Sequence, residues 1–131
     1  CWCDLFGQDD ALLATGFNAW GGIFHLNGRW HAIGGQKKSM PHLLAVGERT
    51  VCMARADDWL NEHEPANSAH KTRHWLNKPA TESQLHLLPP TLRSDYGMSR
   101  YQASALLAFQ FNKQSIRRLV AGANDHFQEV A

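Results

Sequence analysis

The stretch IFHLNGRWHA, residues 23–32, predicts a tight β-hairpin. Two alternating runs flank the dipeptide Asn27-Gly28, which is the preferred centre of a two-residue type I′ turn because both of its residues tolerate positive φ. We therefore expect two antiparallel strands that meet at this turn.

Short apolar or β-prone runs continue this pattern through the first half of the chain. Turn residues separate them, and they fall at residues 11–17, 21–26, 29–35, 42–47 and 49–56. We predict a small antiparallel sheet of four or five strands in meander order, in which a turn at residues 47–49 joins the last two. Residues 56–63 have helical character and are expected to cover one face of the sheet with Trp59 and Leu60.

The second half of the chain carries two helix-start signals. Thr81 with Gln84, and Ser99 with Gln102, match the capping box, in which a Ser or Thr at the N-cap is followed three residues later by Glu or Gln. Two prolines end the first helix after about a turn and a half, so it must depend on its neighbours for stability. The second signal leads into a longer apolar helix.

Residues 112–130 carry one apolar stripe at helical spacing, and Asn112 is expected either to break the preceding helix or to cap this last one. The stripe consists of Ile116, Leu119, Val120, Ala123 and Phe127. The predicted fold class is therefore α+β, with a small antiparallel β-sheet module followed by a small helical module. We expect the meander and its covering helix in residues 1–63, a linker in 64–74 and the helical module in 75–131.

Composition and length indicate one ordinary domain or two small modules with a real core. The chain has 131 residues, of which 44% are hydrophobic. It has no apolar run near 18 residues and no basic-then-apolar N-terminus, so we expect no membrane partner and a cytoplasmic location. Because the chain begins at Cys1 rather than Met, it is expected to be a fragment or processed product of something longer.

Charge is unevenly distributed between the two halves. Residues 1–64 contain 5 Lys/Arg and 8 Asp/Glu, whereas residues 65–131 contain 8 and 4. The basic and aromatic residues of the second half form the candidate nucleic-acid-binding set, in which Trp75 would stack on a base and the others would contact phosphates. The set is Lys71, Arg73, Trp75, Lys78, Arg93, Arg100, Lys113, Arg117 and Arg118. The alternative is a solvated basic face with Trp75 buried between the modules.

Catalytic signatures are absent from the sequence. It contains no phosphate-binding G-x-x-x-x-G-K-S/T, no G-x-G-x-x-G, no G-x-S-x-G and no H-E-x-x-H. The pairs Gly21-Gly22 and Gly34-Gly35 are expected at strand ends, where they would serve turns or bulges rather than bind phosphate. We expect no catalytic residue in this chain.

A zinc site is the alternative reading of the cysteines and histidines. Cys1 with Cys3, and His70 with His74, would each supply a pair of ligands. Structural zinc pairs normally read C-x₂-C, however, and Cys52 lies in an apolar run typical of a buried thiol. We therefore expect no metal and no cofactor in this chain.

The second half resembles a helical module found near the C-termini of bacterial and phage superfamily II DNA helicases of the DEAD/DEAH type. That module has a tryptophan, P-A-T-E-x-Q, a leucine-rich turn, a loop and a Ser/Thr-opened helix that contains A-S. The matching positions are Trp75, Pro79, Ala80, Thr81, Glu82, Gln84, Leu85, Leu88, Ser99, Arg100, Ala103 and Ser104. A small β-rich segment comparable to residues 10–55 often precedes it. The pair Pro89-Pro90 departs from the family, which tends to continue the helix into a glycine turn.

The resemblance implies an accessory region of an ATP-dependent DNA helicase or translocase. The ATPase motor is missing from these residues, so helicase activity would belong to the parent protein. The expected partners are DNA, single-stranded or duplex, and the rest of the parent chain. The alternative function is a protein-interaction or scaffold module that docks a partner protein or the parent chain, and a stand-alone enzyme is the least favoured reading.

Overall fold

A computed structural model describes residues 2–64, 78–92 and 97–130 of the protein, with side chains up to residue 124. The strands are β1 (Cys3–Asp4), β2 (Ala11–Thr15), β3 (Ala19–Leu26), β4 (Arg29–Gln36) and β5 (His42–Gly47). The helices are α1 (Arg49–His63), α2 (Glu82–Leu87) and α3 (Arg100–Val130), with a 3₁₀ turn at Pro90–Leu92. The predicted α+β class, with an antiparallel sheet followed by helices, is confirmed.

The five strands form one antiparallel sheet in the order β1-β2-β3-β4-β5. At the central hairpin Leu26 pairs with Arg29, and the two turn residues have φ of 53° at Asn27 and 79° at Gly28. Both values are positive, as a type I′ turn requires. The hairpin and the meander order predicted from the sequence are therefore confirmed.

The prediction of a fifth β-run at residues 49–56 is wrong, because these residues form the first half of α1. Gly47 and Glu48 join β5 to this helix instead of turning into another strand. Cys52 and Ala56 are fully buried against the sheet, one helical turn apart. The predicted covering helix at residues 56–63 forms the second half of α1. There Trp59 Nε1 donates to the carbonyl of Gly35 at 3.2 Å.

The glycine pairs lie within β3 and β4, not at strand ends as expected. Gly21 pairs with Gly34, and Gly35 pairs with Trp20. A Cβ at Gly34 would overlap the indole of Trp59, and a Cβ at Gly35 would overlap the indole of Trp20. The glycines thus leave room for two large rings to lie directly on opposite faces of the sheet.

Helices cover both faces of the sheet. On one face α1 packs on a cluster that includes Leu12, Ile23 and Ala32. On the other face α3 packs on Leu13 and Ile33, in a cluster that also contains Leu88 and Val120 from the second half of the chain. The division into two modules stays a prediction, but the described residues of both halves share this hydrophobic cluster.

The short helix α2 begins with the predicted capping box. Gln84 N donates to Thr81 Oγ1 at 3.1 Å, and Thr81 N donates to Gln84 Oε1 at 3.0 Å. The Gln84 side chain also donates to Ser104 Oγ at 3.0 Å, which ties α2 to α3. Leu88 directly follows the helix and is 1% exposed within the shared cluster. The short helix is therefore held by a cap, a polar tie and one buried leucine.

The segments that lead into α2 and α3 pair with each other. Ala80 N donates to the carbonyl of Met98 at 2.8 Å, and Arg100 N donates to that of Lys78 at 2.7 Å. At the start of α3, Gln102 N donates to Ser99 Oγ at 3.0 Å, as the second capping signal predicts. The two helix starts are thus joined by a short antiparallel bridge.

The helix α3 runs without interruption from residue 100 to 130, so the predicted break or cap at Asn112 is wrong. Asn112 Nδ2 donates to the carbonyl of Ala108 at 2.8 Å, one turn earlier in the same helix. Bonding of this kind lets a polar residue remain inside a helix. The continuous helix contacts β2, β3 and β5 of the sheet.

A buried polar link joins the central hairpin to α3. His31 is fully buried, with Nδ1 3.0 Å from the carbonyl of Phe24 and Nε2 3.1 Å from Asn124 Nδ2. Nδ1 therefore carries the proton and donates to the carbonyl, while Nε2 accepts from the amide. Asn124 Oδ1 accepts from Arg29 Nη2 at 3.2 Å. The link favours a neutral imidazole in the folded protein.

Burial lowers the pKa of His31 from its usual 6.5; the charges of Arg29 and His25 add to this, and the bond to Phe24 opposes it. Below pH 6.5 the unfolded chain binds a proton that the folded protein does not. The free energy of unfolding should therefore fall as the pH drops from 6.5 toward the folded pKa, by up to about 1.4 kcal/mol per pH unit. Urea titrations at several pH values measure this. His31→Gln should flatten the slope, whereas the control His86→Gln, at an exposed position on α2, should keep it, and equal slopes in both variants would contradict the assignment.

Candidate nucleic-acid interface

Two of the predicted basic residues lie together where α3 begins. Lys78 is exposed and Arg100 is half-buried, and their backbones are joined by the hydrogen bond from Arg100 N to the Lys78 carbonyl. This pairing follows from the bridge between the segments that lead into α2 and α3. Residues that are 22 positions apart in the sequence are thereby placed side by side.

Three further basic residues lie near the middle of α3. Arg117 and Arg118 are exposed, and Lys113 is half-buried one turn before Arg117. At a rise of 1.5 Å per residue they lie about 20–27 Å from Arg100 along the helix. Arg118 follows Arg100 by five helical turns, so the two point to the same side. The five described residues of the predicted set thus form two groups, one at the start of α3 and one near its middle, and not a single patch.

Within the part of the chain that the structure describes, no carboxylate forms an ion pair with any of these five residues. Among residues 2–64, 78–92 and 97–124, the ion pair seen joins Arg49 to Asp9 at 2.5 Å, on the other half of the chain. That bond lowers the pKa of Asp9, chiefly through the hydrogen bond from the guanidinium. Arg117 and Arg118 are therefore exposed on α3 with no carboxylate partner among the described residues.

The remaining predicted residues cannot be placed. Lys71, Arg73, Trp75 and Arg93 lie outside the described residues, and so do the candidate zinc ligands Cys1, His70 and His74. Their roles stay predictions. Cys3 is half-buried, and burial, followed by the charge of Asp4, raises the pKa of its thiol, which disfavours the thiolate that zinc requires.

A groove of about 630 Å³ lies between the β2–β3 loop, the β4–β5 turn and α3. We call it the lysine groove, because Lys37 and Lys38 on the β4–β5 turn line it. The turn is fixed by hydrogen bonds from Lys37 N to the carbonyl of Asn18 at 3.0 Å and from Ser39 N to that of Gln36 at 3.3 Å. Lys38 has a φ of 63°, which belongs to the tight turn.

The β2–β3 loop that lines the lysine groove is also held in place. The Glu64 carboxylate at the end of α1 accepts from Asn18 N at 2.7 Å and from Ala19 N at 2.6 Å. Trp20 forms the buried side of the groove, and Phe111 of α3 lines it while 70% exposed. Three segments far apart in sequence thus build one rigid, partly aromatic groove.

The sequence interpretation missed the lysine groove. Lys37 and Lys38 lie in the more acidic half of the chain, and Phe111 falls in a helix that was predicted to be generally apolar. The signal in the sequence is the Lys-Lys pair between two strands, which marks an exposed turn. Its proximity to Phe111 depends on how α3 packs on the sheet.

The family model described as "Mitochondrial helicase Irc3, C-terminal domain" matches residues 1–125 of the chain. The chain belongs to this family. As an Irc3 C-terminal domain it is a helicase C-terminal accessory domain, so that part of the sequence-based resemblance is confirmed. No curated protein and no solved structure matches the chain.

The family match covers the whole sheet and the part of α3 up to residue 125. Among the described residues, no helix is long and apolar enough to cross a membrane. The description of the family concerns a mitochondrial helicase and does not specify bacterial or phage proteins. The finer assignment of the parent protein is therefore treated as a proposal.

Proposed function

We propose that this helicase accessory domain binds nucleic acid for its motor through electrostatic and stacking contacts, without chemistry of its own. The observation that carries the proposal is the set of basic side chains along α3 that have no carboxylate partner among the described residues. Such groups release counterions when they contact phosphates, which supplies sequence-independent affinity. The family match supports the helicase context in which such binding would act.

The finer parts of the proposal follow the sequence resemblance. We infer that the parent protein is an ATP-dependent DNA helicase or translocase of superfamily II, of the DEAD/DEAH type found in bacteria and phages. The rest of that protein is the second expected partner of the domain. A cytoplasmic location stays the expectation from the sequence.

A salt titration of DNA binding tests the proposal. Affinity for a duplex oligonucleotide should fall steeply as salt rises, and Arg117→Gln/Arg118→Gln should reduce the slope of log K against log salt by about 1.8, since each phosphate contact contributes about 0.9. Both residues are exposed, so the fold should be unaffected. Fluorescence anisotropy measures the affinity, and Arg55→Gln, an exposed arginine on α1, is the matched control.

The same experiment separates DNA binding from a scaffold function. Absent binding at low salt, or an affinity that does not change with salt, would contradict the proposal. If the double variant instead loses association with the rest of the parent protein and keeps its DNA affinity, the domain is a protein-interaction module.

A further inference from the structure

Positively charged side chains line the lysine groove. Among the described residues that line it, the charged ones are Lys37 and Lys38, and both are exposed. The Glu64 carboxylate accepts hydrogen bonds from the backbone of Asn18 and Ala19, which line the groove, but it is not itself part of the lining. An anionic ligand would therefore meet two lysines on a fixed turn and no opposing carboxylate on the lining.

The groove also offers apolar surface at its opening. Phe111 is 70% exposed and Met40 is 65% exposed, although both are large hydrophobic residues. Phe111 is on α3 and Met40 follows the lysine turn, so apolar groups line the same groove as the two cations. An exposed aromatic ring beside cations is the arrangement on which nucleic-acid bases stack while the backbone is held electrostatically.

Neutral polar groups complete the lining. Amides from Asn18, Gln36 and Asn112 and hydroxyls from Ser39 and Ser104 line the same groove. Amide and hydroxyl groups can donate to and accept from the edges of an unpaired base. A volume of about 630 Å³ lies in the range of small-molecule sites, which is enough for a base to enter between the walls.

We propose that the lysine groove binds an unpaired segment of nucleic acid, with a base stacked on Phe111 and the adjoining phosphates at Lys37 and Lys38. The inference rests on the proposed function and assigns it a second contact surface, separate from the arginines of α3. A duplex keeps its bases stacked and paired, so it cannot place one against Phe111. An acidic peptide would use the lysines but would gain nothing from a ring suited to stacking.

The groove is organised before a ligand arrives. The hydrogen bond from Lys37 N to Asn18 ties the lysine turn to the β2–β3 loop, and Glu64 holds that loop to the end of α1. Trp20 is fixed on Gly35, where a side chain would collide with the indole. Since these walls need no further ordering, binding avoids much of the entropic cost of shaping a site.

Binding of a fluorescein-labelled oligothymidylate to the 131-residue chain tests the inference by anisotropy. Phe111→Ala should weaken binding roughly 5- to 150-fold, as expected for loss of one base stack. Lys37→Gln/Lys38→Gln should reduce the salt slope by about 1.4, because each phosphate contact on a single strand contributes about 0.7. The matched controls are Leu87→Ala, at an exposed hydrophobic position on α2, and Arg55→Gln. Both should bind the oligonucleotide as tightly as the unsubstituted 131-residue chain does.

Photocrosslinking independently tests where the oligonucleotide binds on the protein. An oligonucleotide that carries 5-iododeoxyuridine should crosslink to a peptide containing Phe111, as identified by mass spectrometry. Circular dichroism confirms that each variant is folded.

The outcomes distinguish this inference from the proposed function. If oligothymidylate binding depends on Arg117 and Arg118 but not on Phe111, Lys37 or Lys38, the groove assignment is overturned and the proposed function stands. If no oligonucleotide binds at low salt, both are overturned. If a polyglutamate peptide binds as tightly, with dependence on the lysines and none on Phe111, the groove is a site for an acidic protein segment instead.

Discussion

Replacing Leu88 by alanine is expected to lower the free energy of unfolding by about 2–5 kcal/mol, the range for removing a buried leucine and leaving a cavity. Leu88 is 1% exposed in the cluster that joins the sheet to α3, and it directly follows the six-residue helix α2. A helix of six residues is not stable alone in water. The position of α2 therefore depends on the burial of Leu88. Urea denaturation monitored by circular dichroism measures the change.

Leu87→Ala is the matched control for this prediction. Leu87 is the neighbouring leucine but is 59% exposed, so its removal should change the free energy of unfolding by less than about 0.5 kcal/mol. Equal losses from the two variants would mean that the short helix is held by its cap and its tie to Ser104 alone. Leu88 also fixes the start of the proline pair, because Pro89 follows it directly and the chain then enters the 3₁₀ turn at Pro90–Leu92.

The features predicted correctly from the sequence are those with local causes. The turn at Asn27-Gly28 and the box at Thr81 and Gln84 each depend on residues at most three positions apart, so the sequence contains all the groups that make them. The strand assignment at residues 49–56 failed because a short apolar run fits a buried strand or a helix equally well. Residues 49–56 can be recognised as the start of a 15-residue helix only when the residues that follow them are included.

The features that were missed or misassigned depend on long-range packing. The glycine pairs were expected to make turns, yet their role is set by Trp20 and Trp59, which reach them across the sheet. Periodicity identified Ile116 and Val120 as one stripe but did not show that the stripe covers the sheet. Composition identified the basic residues of α3, whereas the lysine groove required three segments to meet. Local chemistry thus predicted the elements, and packing determined the candidate surfaces.

Asn124→Leu is expected to lower the free energy of unfolding by about 2–4 kcal/mol, although leucine has a similar size and a higher helix propensity. The substitution removes the donor to His31 Nε2 and the acceptor of Arg29 Nη2. His31 Nε2 is then buried without its donor, which costs roughly 1–3 kcal/mol because water cannot replace the lost bond, and the half-buried Arg29 loses one acceptor. Urea denaturation above about pH 8, where His31 is neutral in both states, measures this cost without a contribution from protonation.

Asn112→Leu provides the matched control on the same helix. Asn112 and Asn124 each donate through Nδ2 to the carbonyl four residues earlier at 2.8 Å, but the described contacts of the Asn112 amide do not reach another element. The two variants therefore share the lost helix bond and the gain in helix propensity, and their difference isolates the link to the hairpin. In a His31→Ala background the loss from Asn124→Leu should shrink, since one of its two partners is already gone. An undiminished loss would show that the bond from Asn124 to His31 does not contribute to the stability of the fold.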